Sequence, residues 1–302
     1  MCLDSPVQGV VLPVRAWTGP APATSSAPLV ITFHGAIDRS LRTLPVFDGA
    51  QLRTSLEGRA WLLAIADPSL ERDPDLRIAW YAGHEGADVQ AAIGRTAVGL
   101  AQMLGASRVI FAAGSTGAHA ALLQAARIPG SVAVVQNPIA RISGYYSGPV
   151  ADYRRVCWPA LAKGDDLSTC TVEDVATLYA QEHSSTAILL QNARDHHLYK
   201  QSLAFLAKVK PGRNRENLLW LSDYFDEHAG HSYPRDRWGA WVRAAVDAPS
   251  TDANAIAVAA QKLLTSSGQS VSSREEDRAD ADRRDLAWAD DILNQALQRQ
   301  TR

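Results

Sequence analysis

The stretch 109-VIFAAGSTGAHAALLQAARIPGSVAVVQNP-138 decides the fold of this chain. An apolar run ends there in Gly-Ser-Thr-Gly, an alanine-rich helical pattern follows over 117–127, and a second apolar run occupies 131–138. Continuous apolar runs of this length are typical of strands that are covered on both faces, as in a parallel sheet. The stretch therefore predicts a strand–helix–strand unit with Ser115 at the first turn.

The same alternation of strands and helices extends over most of the chain. We expect an α/β fold, a doubly wound and mostly parallel sheet with helices on both faces, because such alternation forms right-handed β-α-β crossovers. Pro13 indicates that the first strand lies at an edge of the sheet. The predicted strands are 8–16, 28–36, 59–68, 107–115, 131–138, 185–195 and 217–223, and the predicted helices are 87–104, 117–127, 196–208 and 235–246.

Two segments depart from the alternation and indicate the domain organisation. Residues 139–184 contain a helix pattern at 172–182 but no strand-like run, which predicts a lid-like insertion in a domain that spans 1–249. Residues 250–302 are predicted to form a helical C-terminal extension, whose last helix docks on the body or on a partner. The extension divides into a helix at 254–265, a polar linker at 266–285 and an amphipathic end at 286–300.

The composition is that of an ordinary globular protein. The 302 residues are 46% hydrophobic with a formal net charge of −2, which favours neither nucleic acid nor an anionic membrane as a partner. We expect no signal peptide and no membrane span. The three cysteines are odd in number, and reduced thiols are the simplest account of them, so we expect a cytoplasmic protein. They match no metal-site spacing, and no nucleotide-binding glycine motif occurs, so we expect no metal and no cofactor. The alternative is an exported protein with a Cys157–Cys170 bridge.

Ser115 has two interpretations. A serine between a strand and a helix is a favoured helix cap. Serine hydrolases of the α/β type place their nucleophile at the same junction, with small residues two positions before and after it because strand and helix nearly touch. Those positions hold Ala113 and Gly117, and Ala113 departs from the usual glycine by one methyl group.

A nucleophilic serine needs an imidazole and a carboxylate, which follow it in the chain order serine, acid, histidine. Asp195 ends the predicted strand 185–195, and His231 lies in a Gly-His turn after the predicted strand 217–223. The alternatives are that Asp195 caps the following helix, that His228 is the base, and that Asp223 is the acid. His84 precedes the serine and breaks the expected order.

The third requirement is an oxyanion hole, a pair of backbone N–H groups that face the oxygen that gains charge. One expected donor is Thr116, the residue after the serine. The other is Ala36, which the His34-Gly35 turn after an early strand brings toward the serine. An ordinary strand-ending turn is the alternative for His34-Gly35.

These motifs resemble the α/β-hydrolase superfamily. The resemblance covers about residues 28–246 and rests on 33-FHGA-36, on 111-FAAGSTGAHAAL-122 and on the Asp195/His231 pair. It implies this fold and a serine-dependent acyl transfer, in which Ser115 looks like the nucleophile, Asp195 the acid and His231 the base, with Thr116 and Ala36 as the oxyanion donors. Asn137-Pro138 and 195-DHH-197 are also similar to a bacterial branch, some of whose members accompany proteins that acylate glycans.

We therefore expect hydrolysis of a carboxylic ester in a small molecule or glycan, through an acyl-serine. Two alternatives stay open. One is an acyltransferase of the same fold that acts on a glycan or small hydroxyl acceptor. The other is a non-catalytic binding protein. Aromatic residues of the insertion, Tyr145, Tyr146, Tyr153 and Trp158, either line a substrate cleft or pack the insertion onto the body.

Overall fold

A single sheet forms the centre of the molecule. The computed structural model describes residues 2–4, 10–19, 26–161, 164–209, 216–225 and 230–267. Within this part of the chain the strands are β1 (Cys2–Asp4), β2 (Val11–Thr18), β3 (Leu29–Phe33), β4 (Trp61–Ile65), β5 (Val109–Gly114), β6 (Val132–Gln136), β7 (Thr186–Asn192) and β8 (Leu218–Asp223). Their order across the sheet is β1-β2-β4-β3-β5-β6-β7-β8. Strands β3 to β8 are parallel, and β2 runs antiparallel to β1 and β4.

Helices cover both faces of the sheet. The described helices are α1 (Arg53–Leu56), α2 (Val89–Met103), α3 (Gly117–Arg127), α4 (Ser147–Cys157), α5 (Ala176–Tyr179), α6 (Ala204–Lys208), α7 (Arg235–Asp247) and α8 (Ala253–Ser267). Shorter turns of 3-10 helix occupy Ala50–Leu52, Pro68–Arg72 and Leu167–Thr169, and a π-helical turn, Tyr199–Leu203, leads into α6.

The central strands are apolar on both faces because each face packs against helices. In β5, Phe111 and Ala113 belong to the core that α2 and α3 cover, whereas Ile110 and Ala112 belong to the core that α7 and α8 cover. All five residues of β3 are buried in the same way. This alternation within one continuous apolar run is the doubly wound arrangement that the sequence predicts.

The predicted edge position of the first strand was wrong. Strand β2 lies inside the sheet, because the three-residue strand β1 pairs with its outer side, with Cys2 opposite Pro13. A strand of three residues is too short to carry a hydrophobic pattern, so the sequence offered no sign of it.

The insertion between β6 and β7 packs onto the body through a core of its own. Tyr153 of α4 is fully buried, donates a hydrogen bond to the carbonyl of Gly83 and contacts Trp80 edge to face. A helix predicted over 172–182 is limited to α5. Cys157 and Cys170 are free thiols, so the Cys157–Cys170 bridge is not formed.

Helix α8 is part of the body, because Ile256 and Ala260 are fully buried against the face that α7 covers. The polar linker beyond residue 267 and the predicted helix at 286–300 lie outside the described residues. Among the described helices, none combines the length and the apolar character that a membrane crossing requires.

Candidate active site

Ser115 occupies a strained turn between β5 and α3. Its φ is 52°, a left-handed conformation that residues other than glycine rarely adopt. The Ser115 N–H donates to the carbonyl of Gln136 over 3.0 Å, and the Ser115 carbonyl accepts N–H groups from Ala118 and Ile139 over 3.1 Å each. These backbone bonds hold the turn, which places the Ser115 side chain at the carboxyl edge of the sheet.

The space around this turn explains the need for small neighbours. A Cβ atom on Gly117 would lie 2.6 Å from the carbonyl oxygen of His34 and 2.9 Å from that of Phe33. Ala113, two positions before the serine, is fully buried within β5 between β3 and β6. The closest backbone approach is therefore on the Gly117 side, and the methyl group of Ala113 fits the sheet.

The structure brings Ser115, His231 and Asp195 into one chain of hydrogen bonds. The Nε2 atom of His231 lies 2.8 Å from Oγ of Ser115. On the other side of the ring, Nδ1 lies 3.0 Å and 3.1 Å from the two carboxylate oxygens of Asp195. Asp195 follows β7, and His231 follows Gly230, whose φ of 76° turns the chain after β8.

Of the alternative residues that the structure describes, Asp223 and His84 do not take these places. Asp223 pairs with Arg237 at the exposed end of β8. His84 lies near Ser69, with 3.4 Å between its Nδ1 atom and the serine Oγ. His228 lies outside the described residues. Asp195 also accepts the backbone N–H of His197 over 2.9 Å, so it caps the following turn while it contacts His231.

Asp195 is held in its ionised form. Burial raises the pKa of this carboxyl, but the charge of His231, the hydrogen bond with His231 and the N–H of His197 outweigh burial and lower the pKa below its ordinary value. Gln191 donates a further hydrogen bond to Asp195 from Nε2 over 3.1 Å. An ionised carboxylate on Nδ1 keeps the proton of a neutral His231 on that nitrogen and leaves Nε2 free to accept one from Ser115.

The predicted oxyanion loop lies against the serine. A Cβ atom on Gly35 would lie 3.4 Å from Cβ of Ser115 and 3.9 Å from its Oγ, so the loop backbone passes beside the nucleophile position. Within the described residues, neither the backbone N–H of Ala36 nor that of Thr116 donates a hydrogen bond. No acceptor in the described part of the chain therefore occupies either N–H group.

His34 anchors this loop from below. Its Nε2 atom accepts the backbone N–H of Asp67 over 3.1 Å, so the ring proton is on Nδ1, which donates to the carbonyl of Gly35 over 2.7 Å. Tyr81 completes the anchor, because its hydroxyl accepts the N–H of His34 over 2.8 Å and donates to the carbonyl of Ile65 over 3.0 Å. Burial lowers the pKa of His34 to about 4, which keeps the ring neutral.

Four aromatic side chains form a wall beside His231. Tyr145 stacks on His197 with 5.0 Å between ring centroids, and His197 meets His231 edge to face at 5.1 Å. The hydroxyl of Tyr146 is hydrogen-bonded to Nε2 of His196. Tyr145 and Tyr146 therefore lie at the site, whereas Tyr153 packs the insertion onto the body. The sequence offered an indication of Tyr145 and Tyr146 as candidate cleft residues, but none of the positions of Asp67 and Tyr81.

Comparison with known proteins gives matches in structure only. No protein-family model matches the chain, and no curated protein sequence does. An S-formylglutathione hydrolase from Agrobacterium tumefaciens superposes with a TM-score of 0.54 at 14% identity, over 87% of this chain and 94% of that chain. The capsule O-acetyltransferase of Neisseria meningitidis serogroup A has a TM-score of 0.56 at 12% identity, over 87% and 92%.

The acylaminoacyl peptidase of Pyrococcus horikoshii has a TM-score of 0.61 at 10% identity, over 87% of this chain. The chain has the α/β-hydrolase fold. The peptidase match covers 43% of that protein, so this chain spans less than half of its length. Identities this low bear on the fold alone.

Proposed function

We propose that the chain is a serine hydrolase that cleaves a carboxylic ester through an acyl-serine intermediate. The observation that carries this proposal is the hydrogen-bond chain from Asp195 through His231 to Ser115, with 2.8 Å at its last link. A serine hydroxyl is a weak nucleophile unless a base accepts its proton, and this arrangement supplies the base in the required tautomer.

In the first half-reaction, Oγ of Ser115 attacks the ester carbonyl while Nε2 of His231 accepts the hydroxyl proton. The carbonyl oxygen gains the negative charge and accepts hydrogen bonds from the N–H groups of Ala36 and Thr116. The tetrahedral intermediate then collapses, the bond to the alcohol oxygen breaks, and His231 donates its proton to that oxygen. The products are the free alcohol and an acyl group on Ser115.

In the second half-reaction, water takes the place of the alcohol. His231 accepts a proton from the water as the water oxygen bonds to the acyl carbon, and the same N–H groups stabilise the oxyanion. Collapse of this intermediate breaks the bond to Ser115 Oγ, which receives the proton from His231. The carboxylic acid leaves, and the site returns to its starting state.

An acyltransferase is the second candidate, in which a hydroxyl of a glycan or small molecule replaces water. The likeness to the capsule O-acetyltransferase supports it to the extent that a protein of this fold and of comparable length carries that name. The wall beside His231 supports it as well, since Tyr146 and His196 place polar atoms next to the proposed base.

A set of p-nitrophenyl esters of increasing acyl length tests the proposal. We expect turnover by the wild type and a loss on the order of 10⁴-fold or more in kcat for Ser115→Ala and for His231→Ala. The exposed Ser147→Ala variant is the matched control and should retain activity. A folded wild type that turns over none of these esters would leave the non-catalytic binding protein as the better account.

Addition of saccharide or small alcohol acceptors separates hydrolase from transferase. For a hydrolase, the acid is the only acyl product at every acceptor concentration. For a transferase, the acceptor raises the rate of p-nitrophenol release, and mass spectrometry finds the acyl group on the acceptor.

A further inference from the structure

Buried amide side chains link the strand ends to the turn that carries His231. Asn137 follows β6, and Gln191 and Asn192 end β7; all three are almost completely buried. Their hydrogen bonds run to one another, to Asp195 and to the turn that carries His231. A buried amide needs an N–H or O–H donor for its oxygen and acceptors for its NH₂ group. The partner of one end therefore fixes which way the other end points.

Two of these amides converge on one backbone carbonyl. The oxygen of Ser232, the residue after His231, accepts Nδ2 of Asn192 over 2.8 Å and Nδ2 of Asn137 over 3.1 Å. The segment 230–234 contains no helix or strand. Because the turn has no strand pairing of its own, these side-chain hydrogen bonds connect it to the carboxyl edge of β6 and β7.

The orientation of both amides follows from their other partners. The oxygen of Asn137 accepts the backbone N–H of Asn192 over 2.8 Å, and the oxygen of Asn192 accepts the backbone N–H of Arg194 over 2.9 Å. A backbone N–H can only donate, so each amide must direct its oxygen to that N–H and its NH₂ group to Ser232.

The same network reaches the acid. Nε2 of Gln191 lies 3.1 Å from the oxygen of Asn137 and 3.1 Å from Oδ2 of Asp195. The oxygen of Gln191 accepts the hydroxyl of Ser202. The acid and the turn that carries the base are thus held by one set of connected amides.

We propose that Asn137 and Asn192 are positioning residues that hold the Ser232 carbonyl and thereby keep His231 in line between Asp195 and Ser115. The proposal rests on the proposed function, since it assigns the amides to the same reaction. Displacement of a reacting group by about 1 Å costs on the order of 100-fold in rate. Loss of the Ser232 contacts removes the hydrogen bonds that tie the residue after His231 to the ends of β6 and β7.

Each of two variants removes one of the contacts to Ser232. Asn192→Asp disturbs its surroundings less, because Asn137→Gly also removes the oxygen that accepts the Asn192 N–H and Nε2 of Gln191. Asn192→Asp keeps the volume of the side chain and replaces the donor that faces Ser232 by an oxygen. Asn137→Gly removes the side chain where the backbone has a φ of 40°, a conformation that glycine adopts without strain. Asn254→Ala, an exposed asparagine at the start of α8, is the matched control.

The measurement is kcat per active site, with sites counted by titration with a fluorophosphonate probe. We expect kcat per site to fall about 10- to 100-fold in each variant, with KM within about twofold. The double variant should lose about as much as the stronger single variant, because both amides act on one carbonyl. A merely structural role would reduce the number of titrated sites and leave kcat per site unchanged.

Two outcomes overturn the proposal in distinguishable ways. Wild-type kcat per site in folded Asn192→Asp and in folded Asn137→Gly contradicts the positioning role and leaves the serine hydrolase intact. Absence of probe labelling in the wild type contradicts the proposed function and the positioning role together. Circular dichroism identifies a variant that fails to fold. The kcat per site of the variant at the other asparagine then tests the positioning role.

Discussion

Two buried aspartates support opposite sides of Ser115, and their pKa values shift in opposite directions. Asp67 lies under the oxyanion loop and accepts the backbone N–H groups of Ser69 and Tyr81. Burial raises the pKa of Asp67 to about 6, and those neutral donors only reduce the rise. Asp195 is also buried, but the charge and hydrogen bond of His231 bring its pKa below the ordinary value.

The difference shows what each side is built to do. The Asp67 side consists of groups that hold backbone in place, and His34 and Tyr81 there are neutral and fully enclosed. The Asp195 side holds a charge next to a histidine whose ring reaches solvent, since 17% of the His231 side chain is exposed. Asp195 has a partner, His231, that can become a cation, whereas the backbone N–H groups that Asp67 accepts are neutral. This difference suits Asp195 to the reaction and Asp67 to a structural role.

The largest effect should come from Asp195→Asn. An amide NH₂ group facing Nδ1 favours the imidazole tautomer with its proton on Nε2, which then cannot accept the proton of Ser115. We expect kcat for a p-nitrophenyl ester to fall on the order of 10⁴-fold, with the fold retained by circular dichroism. Asp223→Asn, which changes an exposed aspartate at the end of β8, should leave kcat nearly unchanged. A loss of less than about tenfold for Asp195→Asn would remove the distinction between the two aspartates.

Asp67→Asn should instead change how stability depends on pH. Because the pKa of Asp67 is about 6 in the folded state and 3.8 ordinarily, its contribution to stability is full below pH 3.8 and is lost as pH rises through about 6. The variant has no such group. The free energy of unfolding of the wild type, minus that of Asp67→Asn, should therefore decrease by about 2 kcal/mol between about pH 4 and about pH 7.5.

Urea denaturation of both proteins at the two pH values measures this difference. His34 also titrates in this range, but its effect largely cancels because both proteins retain it. The exposed Asp75→Asn variant should show no comparable change. A constant difference between wild type and Asp67→Asn would mean that the Asp67 carboxyl is not destabilised by burial.

The smallest effect is expected for Gly35→Ala. The added Cβ would make ordinary contacts with Ser115, 3.4 Å to its Cβ, so stability should be retained. The methyl group would occupy space beside Oγ that an ester carbonyl needs, and we expect kcat/KM to fall on the order of tenfold. Gly117→Ala is the contrasting variant, since its Cβ would lie 2.6 Å from a backbone oxygen, and it should lose about 1–3 kcal/mol of stability. Equal effects of the two substitutions on stability would contradict this account of the turn.

The strands and the strand-end residues could be predicted because their signals are local. Each of β3 to β8 is a continuous apolar run, and a parallel sheet puts the residues after such runs at one edge. The positions of Ser115, Asp195 and His231 after β5, β7 and β8 could therefore be read from chain order. The same reasoning missed β1, whose three residues are too few to form a pattern.

The supporting contacts could not be predicted because they depend on side-chain direction between distant segments. Tyr81 contacts His34 across 47 positions, and Asn137 contacts Ser232 across 95. Asn137 and Asn192 in the sequence are consistent with ordinary turn residues. Only the fold shows that their NH₂ groups meet at one carbonyl.

Labelling with a fluorophosphonate probe, followed by peptide mapping by mass spectrometry, tests the central claim most directly. The claim is that Ser115, His231 and Asp195 act as one nucleophilic unit. We predict a single adduct on Ser115 in the folded wild type, no adduct in Ser115→Ala, and strongly slowed labelling in His231→Ala. Undiminished labelling of folded Ser115→Ala, or no labelling of the folded wild type, would contradict it.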